Sequence, residues 1–284
     1  MNRLISELQR LYFPFPLRGC VMATDAPSEA MAVAELTTAD LTRSLAGEAT
    51  LLLDPATDDT TRCLVLHFAH GDDWPQVAAL YQALQEDLAL PAPAIAVDTE
   101  AGYQLWLSLA EAVPLAMAGA FLAALRRHYL AGLPVASLTC IPGGEATPGL
   151  LRPVPSLQAA NGKWSAFIDP GMGSLFVAEA GLDIAPNPER QADLLAGLAS
   201  IPPGDLQRAL QWLEEQSATP VVQADIPAQA PVDVGQRLML AGIYGDPQSF
   251  LLAVMNDPSA SAGHRIEAAK ALLPYFAKYA STST

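Results

Sequence analysis

Residues 62–109 constrain the fold of this chain more than any other stretch, because their apolar period changes from strand to helix and back within one short span. Residues 62–70 are apolar and partly β-branched. Alternation sets Val65, His67 and Ala69 on one side and Leu64, Leu66 and Phe68 on the other. Asp72 is placed to cap a helix that tolerates Pro75 in its first turn. Trp74, Val77, Leu80, Tyr81, Leu84 and Leu88 then recur at helical spacing and give that helix one apolar stripe. Pro91 and Pro93 end it, and residues 93–98 and 102–109 read as two further strands joined by a tight turn. This order predicts an α+β domain built on a mixed sheet with flanking helices.

The rest of the chain supplies helices around that core. Residues 2–12 place Leu4, Ile5, Leu8 and Leu11 on one helical side. Thr38 is positioned to cap a helix ending at Leu45, and residues 48–53 read as a strand. Residues 112–130 are strongly helical and end in Arg126, Arg127 and His128, which complement a helix C-terminus. Residues 141–149 form a Gly/Pro-rich loop, and helices follow at 188–199 and 204–216. Ser, Thr, Ala, Gln and three prolines between 217 and 232 read as a linker. The expected domains are therefore 1–216, an α+β unit, and 233–284, a small helical module.

Charge narrows the function. Fifteen Lys and Arg stand against thirty Asp and Glu, a formal charge of −15, which opposes broad binding to phosphate backbones. Any nucleic-acid binding is expected to be weak and salt-sensitive, and the acidic surface suits a protein partner. Cys20, Cys63 and Cys140 stand singly without metal-like spacing, which fits a reducing cytoplasmic setting. The most apolar run, 112–125, is too short to span a bilayer, so no membrane association is expected. The amphipathic start with Glu7 does not read as a signal peptide. No Ser-His-Asp or Cys-His arrangement appears, no cofactor is implied, and His67 reads as a hydrogen-bonded core histidine.

Several pieces in order carry a resemblance. They are Leu45-Ala-Gly47, Asp58-Asp59-Thr60, Leu66-His67-Phe68-Ala69, Trp74 and Gly102-Tyr103-Gln104-Leu105-Trp106. The segment Gly149 to Gln158 follows, then Asn161-Gly162 and Phe167-Ile168-Asp169. Over roughly residues 40–170 the sequence resembles the catalytic domain of archaeo-eukaryotic-type primases, or primase-polymerases, of the mobile-element and conflict-system kind. The tail from Asp246 to Tyr275 resembles a helical segment of phage terminase small-subunit-like chains.

The resemblance implies a nucleotide site and also its decay. Two aspartates on the first strand hold metal and nucleotide in that family; His67 and Ala69 stand there in this chain. The family's hairpin histidine is Gln104 here, followed by Trp106, while Arg152 and Lys163 stand where they would point toward the old site. Hard divalent cations require oxygen ligands, which imidazole and methyl groups do not supply. The chain thus reads as an inactive primase-polymerase homologue kept as a binding or scaffolding component in mobile-element replication or defence. A second possibility is a protein-interaction component with no nucleotide site. A third is an active nucleotidyltransferase whose metal site is remodelled on Asp98, Glu100 or Asp169.

Overall fold

The computed structural model describes residues 1–14, 16–22, 34–143 and 149–218. In chain order these form α1 (Asn2–Leu11), β1 (Leu17–Met22), β2 (Ala34–Leu36), α2 (Thr38–Leu45), β3 (Thr50–Asp54), β4 (Ala56–Thr57), β5 (Thr60–Phe68), α3 (Trp74–Glu86), β6 (Ala94–Val97) and β7 (Tyr103–Pro114). They continue with α4 (Leu115–Tyr129), β8 (Leu138–Ile141), β9 (Leu157–Gln158), β10 (Lys163–Trp164), β11 (Ala166–Ile168), α5 (Pro188–Ala196) and α6 (Pro203–Ala218). The described part is α+β. The helical module expected at 233–284, its terminase-like segment and the linker beyond Ala218 lie outside the described residues.

The main sheet runs β11-β6-β7-β5-β4, with β8 also paired to β5. Both β5 and β6 are antiparallel to β7, so they run parallel to one another with β7 inserted between them. The strand–helix–strand–strand pattern of the sequence is therefore a split β-α-β unit. Strands β1, β2 and β3 make a separate antiparallel sheet.

Alternation along β5 feeds two cores. Leu64, Leu66 and Phe68 pack with Val77, Leu80 and Leu84 of α3, Phe121 and Leu125 of α4 and Leu213 of α6. Cys63 and Val65 pack on the other side with Leu4, Leu8 and Leu11 of α1, Leu41 of α2 and Leu195 of α5. Burying each of these aliphatic side chains contributes about 1.5–3 kcal/mol. No helix among the described residues is long and apolar enough to cross a membrane.

Local corrections have identifiable causes. Thr37, not Thr38, caps α2, because its hydroxyl and the Asp40 carboxylate form a reciprocal capping box. A 3₁₀ turn over Gly71–Asp73 precedes α3, and Asp73 rather than Asp72 is its N-cap residue. Strand β7 passes the expected end at Leu109 and reaches Pro114, displacing the start of α4 to Leu115. Pairing of Thr60 with Pro114 and of Thr61 with Val113, beyond a bulge, overrides the helical propensity of residues 110–112. Asp58 and Asp59 have φ of 50° and 58° and form the two-residue loop joining β4 to β5, the backbone handedness that suits hairpin twist.

Gly102 brings the β6–β7 turn against the end of β5. Its φ is +79°, and a Cβ there would stand 1.9 Å from the Phe68 carbonyl oxygen. Only glycine fits, and the turn carrying Asp98 and Glu100 is thereby pinned beside His67.

Candidate functional site

Register brings three polar side chains onto one side of the sheet. His67 of β5 stands opposite Gln104 of β7, and Gln104 stands opposite Ala96 of β6. Asp98 lies two residues beyond Ala96 and so projects to the same side. His67 Nε2 lies 2.6 Å from Asp98 Oδ2, with side-chain exposures of 31% and 20%. The two atoms are in close contact without hydrogen-bond alignment, and the contact is an ion pair only when the ring is protonated.

Asp98 has further donors. Thr99 N donates to Oδ1 at 2.6 Å, and Gln104 Nε2 donates to Oδ2 at 3.3 Å. Gln104 Oε1 in turn accepts from Trp106 Nε1 at 2.9 Å. Burial disfavours the charged carboxylate. The contacts with His67, Thr99 and Gln104 outweigh that penalty and hold the Asp98 carboxyl below its ordinary value.

Over these groups lies the segment after Gly149, tied down where Leu151 exchanges backbone hydrogen bonds with Leu53 at 2.7 and 2.8 Å. A cleft of ≈ 200 Å³ opens between the two layers. Its walls include Val65, Ile141, Leu151 and Val154, and its polar lining includes Arg152 and the buried Ser156 and Ser165. Arg152 Nη1 donates to Gln158 Oε1 at 2.8 Å, and Gln158 Nε2 donates to Glu100 Oε1 at 3.0 Å, which closes one rim.

Of the residues singled out from the sequence, His67, Gln104, Asp98, Glu100 and Arg152 line this cleft together. Ala69 does not: it lies beyond the end of β5, with its N–H bonded to Ser137 O at 2.9 Å. Trp106 is fully buried, edge-on to Tyr12, Phe13 and Phe167, and reaches the site only through its indole N–H. Lys163 is held by Asp183 at 2.6 Å. Asp169 accepts from Gly171 N at 2.8 Å and caps the 3₁₀ turn Pro170–Phe176. The basic cluster of α4 packs toward α6, with His128 edge-on to Trp212 and Arg127 donating to Ser217. Thr99, Ser156 and Ser165 had no sequence signal, because nothing in spacing links a serine pair to a strand nearly ninety residues upstream.

These residues do not fit a pair of divalent cations. Among the described residues no three His, Cys, Asp or Glu side chains converge. Asp98 is the one carboxylate against the sheet here, and both its oxygens already accept protein hydrogen bonds. Glu100 is drawn to Gln158 at the rim.

No protein-family model matches the sequence, and no curated protein matches it. Among solved structures, the chain is similar to the AEP domain of the cyanophage S-2L primase-polymerase. The likeness covers 68% of this chain and 97% of that one, at 12% identity and a TM-score of 0.41.

Proposed function

We propose that this chain is a catalytically inactive primase-polymerase-like protein, acting as a binding or scaffolding component in mobile-element DNA replication or defence. The observation that carries the inactive reading is the engagement of Asp98 by His67, Thr99 and Gln104. Metal-assisted phosphoryl transfer needs carboxylate oxygens free to bind cations and to offset the charge of a triphosphate. Here the carboxylate faces an imidazole instead. Removing a single stabilising group of this kind typically costs about a hundredfold to a thousandfold in rate. The sequence motifs between residues 40 and 170 support the family half of the proposal.

On this reading the protein works in the cytoplasm through a protein partner that meets its acidic surface, with nucleic acid bound weakly if at all. No cofactor is required.

A second reading keeps activity. Its specific support is that Asp98 and Glu100 line the same cleft as His67, so two carboxylates stand on its rim and floor even though no metal-ligating trio converges there among the described residues. One experiment separates the two: primer synthesis and primer extension by the purified chain with magnesium or manganese. No template-dependent product is expected. Products that vanish in Asp98→Ala and Glu100→Ala would establish the remodelled site and end the inactive reading.

A further inference from the structure

An irregularity in the main sheet leaves one arginine without a cross-strand partner. Along β5 and β7, Thr61 stands opposite Val113, but Cys63 stands opposite Ser108. Arg62 and residues 109–112 therefore fall outside the ladder, and bulges of this kind re-aim side chains. Arg62 Nε donates to Leu109 O at 3.0 Å, which fixes the guanidinium and leaves both Nη groups without a partner among the described residues. A cavity of ≈ 90 Å³ opens beside it, bounded by Tyr12, Phe13 and Ala112, the last being one of the unpaired residues of β7.

Arg18 of β1 lines the same cavity. In register it stands between Glu35 of β2 and Asp54 of β3, but it forms no ion pair with either. Asp54 turns instead toward its own loop, where Oδ1 accepts from Ala56 N at 3.0 Å. The lining thus carries two permanent positive charges against the single carboxylate of Asp54. That balance is the reverse of the whole chain's, with its thirty acidic and fifteen basic residues.

We infer that this cavity binds one small oxyanion, the carboxylate or phosphate group of a small molecule, between Arg18 and Arg62. A guanidinium fork matches two oxygens of either group. The buried side chains of Tyr12 and Phe13 wall the contact off from water and strengthen it. The volume admits the charged group and little else, so the rest of the ligand stays outside. The site shares no lining residue with the cleft at His67 and stands whether or not that cleft is catalytic.

Titration of the full chain with inorganic phosphate and, separately, with acetate tests this, followed by NMR at low ionic strength. At least one anion should bind saturably, and the tighter of the two identifies the group. Arg18 holds no partner among the described residues, so Arg18→Gln should keep its fold while affinity falls about tenfold or more, the effect of one charge-assisted hydrogen bond. Arg62→Gln also gives up the bond to Leu109 and should lose at least as much. Arg43→Gln removes a positive charge from an exposed position outside the cavity and should leave affinity unchanged. The inference is overturned if neither anion binds saturably, if Arg18→Gln binds as the native chain does, or if Arg43→Gln loses as much as Arg18→Gln.

Discussion

Gln191 of α5 both donates to and accepts from the backbone of Phe167, at 2.9 and 2.7 Å, and so takes the place of a strand beyond β11. This edge would otherwise present an unpaired N–H and C=O, the groups through which sheets pair with other chains. Gln191 is itself 5% exposed, so nothing from solvent substitutes for it. Gln191→Leu leaves two buried backbone groups without partners and should cost about 2–4 kcal/mol. Urea denaturation measures the loss, and size-exclusion chromatography should reveal increased self-association. Unchanged stability would mean that water reaches the edge.

Trp74 lies against the backbone of Gly173, where a Cβ would stand 2.0 Å from the indole ring. The same glycine's carbonyl accepts from Tyr103 Oη at 2.8 Å. Gly173→Ala forces the indole or the 3₁₀ turn to move and should destabilise by about 1–3 kcal/mol, an overpacking cost. Tryptophan fluorescence and thermal melting follow it; Gly197→Ala, where nothing lies within 4 Å of the added methyl, is the matched control.

Acid should weaken the fold through Asp98. Its carboxyl is held below the ordinary 3.8, so the unfolded chain binds a proton before the folded one does. The stabilisation is complete at neutral pH and is lost as pH falls below about 4 and through the depressed value. Denaturation midpoints of the native chain and of Asp98→Asn should therefore converge below about pH 4. A gap of constant size at every pH contradicts the assignment.

Single-stranded DNA should bind weakly and lose affinity steeply with salt. The formal charge is −15, and Arg3, Arg10, Lys163 and Arg208 are already engaged with carboxylates. Eleven Lys and Arg stand outside these four pairs, and each phosphate contact they make against the net negative charge releases counterions, so what affinity there is falls as salt rises. Fluorescence anisotropy across a salt series decides it; tight binding that ignores salt would count against the acidic-surface reading.

The sheet around His67 was legible because alternation at 62–70 and helical spacing at 74–88 are strong, local signals. The pairing of His67 with Asp98 was not. Thirty-one residues separate them, and only the insertion of β7 between β5 and β6 sets them on one side within reach. Trp106 misled for a related reason. Its neighbour Gln104 reaches the cleft, but a side chain two residues further along β7 turned into the aromatic cluster with Tyr12 and Phe167. Burial of that kind is decided by packing from α1 and β11, which no window around Trp106 contains. The extra length of β7 was hidden because Ala110, Glu111 and Ala112 favour helix, and only distant pairing partners overrule them.

The insertion of β7 also sets an order of events during synthesis. β5 and β6 are made first, yet neither can pair with the other, because the strand that joins them leaves the ribosome last. Until Pro114 has emerged, α3 has no sheet on which to lay Val77, Leu80 and Leu84. The nascent chain therefore carries the apolar residues of β5, α3 and β6 without β7 to join them for roughly 5 s, at a typical elongation rate. Residues 60–114 thus form the interval in which the growing chain's apolar surface is least covered by its own contacts.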